Sequence, residues 1–188
     1  MRCFIAIDID KEIRASLGDL QRQLQNKTDV EKRDVKWVRP DNIHLTLKFL
    51  GEIKDEQAVE VCNITKEVAD RHKSFDLNIE TVGHFGGSSA RVLWVGMGAG
   101  SDNLFELQKD LEEQLAQAGW PKESREFTGH LTLCRIKKPA AGVKLAQASE
   151  NYKDFKLGII SADSVSVYQS QLMPSGPIYT VLGNYKLS

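Results

Sequence analysis

The chain has no apolar run approaching ~18 residues, so no transmembrane helix is expected. It has no cysteine pairing pattern. Cys3, Cys62 and Cys134 are odd in number and form no C-x-x-C, which argues against a secreted disulfide framework and points to a reducing cytosol. It has no surplus of charge: 25 basic and 26 acidic side chains leave a net charge of −1. No global positive field therefore draws in nucleic acid, and any such substrate is expected to be held locally, at a terminus rather than along a backbone. The opening Met1 to Asp8 reads as a strand, too short and too soon charged for a signal peptide. The glycine-rich stretches Gly83 to Gly87 and Gly96 to Gly100 match neither a phosphate-binding nor a dinucleotide loop and read as turns. No heptad seam is evident, so a monomer is the expectation. What remains is a cytoplasmic, globular chain of 188 residues, 41% apolar and 27% charged, long enough for one domain or two small lobes sharing a core.

Only four histidines are present, and two of them open the same tetrapeptide, His44-Leu45-Thr46-Leu47 and His130-Leu131-Thr132-Leu133. Chance repetition of a tetrapeptide on a given His pair is roughly a few in a thousand. In a strand, residues i and i+2 share a face. Each copy thus sets His and Thr on one face and two leucines on the other. The leucines suit a core, and the paired imidazoles and hydroxyls suit acid–base chemistry on an anion.

The rest of the chain is organised around these copies. Phe4 to Ile7 reads as a buried strand. Asp10 caps a helix with Ile13, Leu17, Leu20 and Leu24 at helical spacing. A charged loop from Lys27 to Lys36 reads as solvated. Trp37-Val38 is a short strand, and Ile43 to Leu50 is a strand stopped by Gly51. A helix is predicted from about Asp55 to Arg71, then strands at Phe75 to Val82 and Val92 to Val95, split by the turn Gly83 to Ser88. The second half repeats the plan: a helix from Asp102 to Gly119, a strand from Phe127 to Ile136, and Ala140 to Ser149 as a helical insertion or lid. Strands follow at Phe155 to Ile160, Ser164 to Tyr168 and Ile178 to Leu182. This mixed order predicts an α+β fold of largely antiparallel sheets. It is read as one domain over residues 1–188, a diverged duplication of two lobes about a pseudo-two-fold axis with a cleft between them.

Two H-x-T-x strands some eighty residues apart resemble the 2H phosphoesterase superfamily. The flanks sharpen the likeness. Arg2 to Ile7, Trp37-Val38 with His44 to Glu52, Phe127 to Arg135, and Tyr168-Gln169-Ser170 with Gly176 and Tyr179 look like bacterial and archaeal RNA 2′,3′-cyclic phosphodiesterases, also called 2′-5′ RNA ligases. One position departs: the family usually has Pro before the second His, and this chain has Gly129.

The resemblance implies opening of a 2′,3′-cyclic phosphate at an RNA end, such as a tRNA fragment, to leave a 2′-phosphomonoester. Hydrolysis needs a base to take a proton from water and an acid to protonate the leaving 3′ oxygen. Two histidines can do this near neutral pH with no metal and no cofactor. By family analogy His44 is the acid and His130 the base. Thr46 and Thr132 would donate hydrogen bonds to the non-bridging oxygens. The match to the family arginine suggests that Arg135 contacts phosphate or base. Strict alternation puts it opposite His130, so a twist or bulge is needed to bring it into the cleft. The alternatives are a 2′-5′ RNA ligase using the same site in reverse, and a non-catalytic nucleotide-binding module.

Taken singly, each motif would read as a packed histidine and a strand-forming threonine; duplication and matching flanks reverse that. Lys48 shares the His44 face but reads as solvated, and Phe4 reads as core rather than as a stacking platform. His72 reads as a solvated helix end and His84 as a turn residue. Cys134 reads as a packed thiol. His-x-Thr has no second ligand at close spacing, so no metal site is expected.

Overall fold

The computed structural model describes residues 1–174 and 176–188. Among these described residues, nine strands and four helices of three or more turns follow in the order β1 (Arg2–Ile7), α1 (Lys11–Thr28), β2 (Val35–Trp37), β3 (Leu45–Glu52), α2 (Asp55–Arg71), β4 (Phe75–Phe85), β5 (Val92–Met97), α3 (Ser101–Gln117), β6 (His130–Ile136), α4 (Pro139–Ser149), β7 (Lys156–Ala162), β8 (Ser164–Met173) and β9 (Gly176–Lys186). They build two sheets, β3-β1-β8-β9 and β2-β6-β5-β4-β7, in which every pairing is antiparallel. The α+β, two-lobed, duplicated architecture expected from the sequence is the one observed. No helix among the described residues is long and apolar enough to cross a membrane.

The helices cross between the lobes. α1 follows β1 of the first sheet but packs on β7 of the second and on α4, whereas α3 follows β5 of the second sheet and packs on β3 of the first and on α2. The apolar stripes dictate this. Leu17, Leu20 and Leu24 of α1 and Leu104, Leu107, Leu111 and Leu115 of α3 are each at most 1% exposed, and they share one contiguous core with Ile5, Ile7, Leu45, Leu93 and Leu131. Burial of each such side chain stabilises by roughly 1.5–3 kcal/mol. The Asp10 carboxylate accepts from the Ile13 amide at 2.7 Å, which starts α1.

The differences from the sequence reading have local causes. Gly51 does not stop β3. It takes φ +72° and lets the strand run to Glu52. His84 lies in β4 rather than in a turn; its Nδ1 is 3.1 Å from Ser149 Oγ and its Nε2 3.0 Å from the Gly87 carbonyl. His72 ends α2 but is not simply solvated, with Nε2 3.0 Å from Asp110 Oδ2. The α4 segment is no lid: Ala141, Leu145 and Ala146 are buried, and a Cβ at Gly142 would lie 2.5 Å from the Ala90 carbonyl.

Candidate active site

Both motif strands carry the same irregularity at the same place. Ala6 pairs with Thr46 and Ile5 with Lys48, so Leu47 is an extra residue in β3. Trp94 pairs with Thr132 and Leu93 with Cys134, so Leu133 is an extra residue in β6. A one-residue bulge reverses the alternation beyond it. Leu47 and Lys48 are consequently both buried, as are Leu133 and Cys134, and the next residues, Phe49 and Arg135, turn outward. Arg135 therefore shares the face of His130 and Thr132. The Leu133 carbonyl at the bulge accepts from Gln21 Nε2 of α1 at 2.9 Å and from the Val38 amide at 2.9 Å.

The open faces of the two sheets enclose a cleft of about 890 Å³. His44, Thr46, His130, Thr132 and Arg135 all line it, so the five sequence-predicted site residues come together. The histidines are held alike. His130 Nδ1 lies 2.7 Å from the Thr128 carbonyl, two residues upstream, and the Asn42 carbonyl, also two residues upstream, acts on His44. A carbonyl can only accept, so His130 Nδ1 carries the proton and Nε2 presents a lone pair.

Their surroundings differ. His44 stacks on Phe4, ring centroids 4.5 Å apart at 19°, and takes the edge of Tyr179 at 5.2 Å. Tyr168 lies near-parallel to Phe4 with ring centroids 5.1 Å apart, and its ring is 6.2 Å from that of His44. Burial pushes His44 down to about 4, against opposing pulls from the Asp8 carboxylate and the Asn42 carbonyl. His130 meets Phe85 edge-on at 5.1 Å. Burial also lowers it, the Thr128 carbonyl opposes this, and the Arg135 guanidinium lowers it further. A carboxylate thus favours imidazolium at His44 and a cation disfavours it at His130.

Asp8 is itself held. It accepts from Tyr168 Oη, and from Ser166 Oγ at 3.1 Å. The sequence reading did not single out Asp8; its only trace there is the acidic end of a strand adjoining the histidine strand. Lys48 corrects its expectation: it is 4% exposed, not solvated, with Nζ 2.8 Å from Glu112 Oε1 and 2.8 Å from the Pro121 carbonyl. It ties the irregular segment before β6 to β3. Phe4 is buried as expected, yet its face serves the cleft. Cys134 is fully buried and its thiol is pushed up to about 12 by desolvation, so it is not a ready nucleophile. Among the described residues, no three His, Cys, Asp or Glu side chains are grouped to hold a metal ion.

Known proteins resemble the whole chain. The family described as "LigT like Phosphoesterase" matches twice, over residues 7–94 and 95–179, one match to each half. The RNA 2′,3′-cyclic phosphodiesterase of Methanocaldococcus jannaschii is 36% identical over 183 residues, covering 97% of this chain and 98% of its own length. That of Aquifex aeolicus is 31% identical over 189 residues, covering 100% and 97%. Among solved structures, Escherichia coli LigT complexed with 3′-AMP has a TM-score of 0.81 at 27% identity, covering 100% of this chain and 98% of that one. TT0787 of Thermus thermophilus gives the same TM-score, identity and coverage. On the paired matches and the full-length likeness, the chain belongs to the LigT-like phosphoesterase family.

Proposed function

We propose that the protein is an RNA 2′,3′-cyclic phosphodiesterase that opens the ring by paired histidine acid–base catalysis without a metal. The observation that carries this reading is the convergence of His44, Thr46, His130 and Thr132 from two remote strands on one cleft. It is supported by the full-length relatives named for that activity.

In the reaction, His130 Nε2 takes a proton from water as the water oxygen bonds to phosphorus. The P–O3′ bond breaks, and His44 gives its proton to O3′. The product keeps phosphate on O2′. Thr46 and Thr132 donate to the non-bridging oxygens as their charge builds. Asp8 favours the imidazolium at His44, which suits the acid; Arg135 disfavours it at His130, which suits the base. The substrate anion counters the burial that lowers both imidazoles in the empty cleft.

The test is hydrolysis of an RNA oligonucleotide ending in a 2′,3′-cyclic phosphate, run in EDTA, with the product isomer identified. Turnover to the 2′-phosphate is expected, with kcat lowered about 10²–10⁴-fold in both His44→Ala and His130→Ala. Turnover indifferent to both histidines, or abolished by EDTA, would overturn the mechanism.

A further inference from the structure

Each motif strand is met at or beside its bulge by a polar side chain of the helix that crosses from the other lobe. Gln21 of α1 is 5% exposed, and its Nε2 donates to two carbonyls at once. One is that of Leu133 at the β6 bulge, 2.9 Å away; the other is that of Val38, 2.8 Å away. Val38 begins the segment that leads to His44, and its amide donates to the same Leu133 carbonyl. Glu112 of α3 makes the converse link. Its Oε1 accepts from Lys48 Nζ at 2.8 Å, next to the Leu47 bulge of β3. The same oxygen accepts from the Glu123 amide at 2.6 Å, on the segment that leads to His130. Lys48 Nζ also donates to the Pro121 carbonyl of that segment at 2.8 Å.

Gln21 and Glu112 hold equivalent places in the duplication. Each lies between two buried leucines of its helix, in Leu20-Gln21-x-x-Leu24 and Leu111-Glu112-x-x-Leu115. Each joins the bulge region of one histidine strand to the approach of the other. The approaches carry the Asn42 and Thr128 carbonyls that act on the two imidazoles. α1 seats the first approach a second time, since a Cβ at Gly18 would lie 3.3 Å from Pro40 Cγ. The apolar core between the lobes is non-directional and sets no register by itself. Buried polar contacts with every partner in place admit one geometry. One link is neutral and the other ionic, so what the lobes share is the place of the link and not its charge.

We propose that Gln21 and the Lys48–Glu112 pair are positioning residues, two cross-braces that set the separation of His44 and His130. The proposal rests on the cyclic phosphodiesterase reading and deepens it. In that reaction a proton is taken from water on one side of phosphorus and another is given to O3′ on the opposite side. The two imidazoles must therefore stand a set distance apart, held to within about 0.5 Å. The braces act through the histidines. Gln21 does not line the cleft, and Lys48 Nζ is turned to Glu112 and Pro121.

The experiment sets Gln21→Met and Lys48→Met/Glu112→Leu beside wild type. Leu115→Val is the control; it removes buried volume from α3 but no polar link. Turnover of an RNA oligonucleotide ending in a 2′,3′-cyclic phosphate is measured well below the Tm of every variant, and the crystal structures of wild type and both brace variants are compared. In each brace variant kcat is expected to fall about 10–10²-fold, with KM moving less than about threefold. The His44–His130 Cα separation is expected to change by about 0.5 Å or more, and the control should keep kcat within about twofold of wild type. A kcat loss no larger than the control's, or a loss confined to KM, would overturn the positioning role. Absence of turnover in wild type would remove the phosphodiesterase reading and leave the braces to be decided by the separation. Whatever the turnover, an unchanged separation in either variant would overturn that brace.

Discussion

Phe4 and His44 lie face to face, with ring centroids 4.5 Å apart and planes 19° from parallel. The ring of Phe4 shields one side of the imidazole from water, and desolvation is the largest influence on His44. Shielding disfavours the charged form, which is why His44 sits at about 4 rather than 6.5. Phe4→Ala opens that side, and NMR titration of the variant is expected to move His44 back toward 6.5. An unchanged titration would assign the depression to the tyrosines instead.

The same depression makes stability depend on pH. His44 is neutral when folded at pH values where the unfolded chain binds a proton. Its contribution is therefore fully present above pH 6.5 and is lost as pH falls toward about 4. The loss amounts to roughly 2–3 kcal/mol. Urea unfolding at pH 7 and pH 4.5 measures it, and in His44→Gln this component of the loss should vanish.

Asp8 stands beside one histidine and has no counterpart beside the other. In the second lobe His130 pairs in register with Gly96, which carries no side chain. Asp8→Asn removes the pull toward imidazolium, so the His44 pKa is expected to fall below its present value and kcat to drop about tenfold if His44 is the acid. Both histidines are lowered in the unliganded protein. The maximum of kcat/KM, which reports the free enzyme, is accordingly expected below pH 6.5, with kcat peaking at higher pH once the substrate anion is bound. A kcat/KM maximum above pH 7 would contradict the assignment, and a normal kcat in Asp8→Asn would remove Asp8 from it.

Lys48 and Glu112 form a buried pair, 4% and 13% exposed, that anchors the segment carrying Lys122 and Arg125. Removing one member leaves the other charged and without its partner. Lys48→Met or Glu112→Leu alone is expected to cost about 3–5 kcal/mol, and the double variant much less. Thermal unfolding of the three variants tests this, and additive losses would count against a coupled pair.

The sequence made the motif strands, the helices and the duplication legible because each rests on local periodicity. His-x-Thr alternation gave the cleft face, and the spacing of apolar residues gave α1, α2 and α3 close to their observed bounds. What escaped it was non-local. Arg135 could be placed only on the condition of a bulge, and the bulge at Leu133 is visible only once β5 is paired. Lys48 read as solvated because its partner lies 64 residues away on α3. Asp8 acquires meaning only when strands distant in sequence are brought side by side.

Gly129 is where the chain departs from the proline usual before the second histidine, and the reason is space rather than backbone conformation. It is not among the glycines with positive φ, yet a Cβ there would lie 2.7 Å from Leu104 Cδ2 and 3.2 Å from Met97 Cγ. Leu104 is fully buried and has little room to retreat. Gly129→Pro is therefore expected to overpack this point by about 1–3 kcal/mol, lowering Tm by roughly 2–4 °C per kcal/mol in a domain of this size. Leu104→Val trims the opposing methyl group, so the proline should cost less in that background than in the native one, a coupling that a double-mutant cycle in Tm reads directly. Because the Thr128 carbonyl that orients His130 is the adjoining residue, overpacking that displaces it would also lower kcat. A Gly129→Pro variant with undiminished Tm would show that Leu104 yields freely and that the glycine is not required by packing.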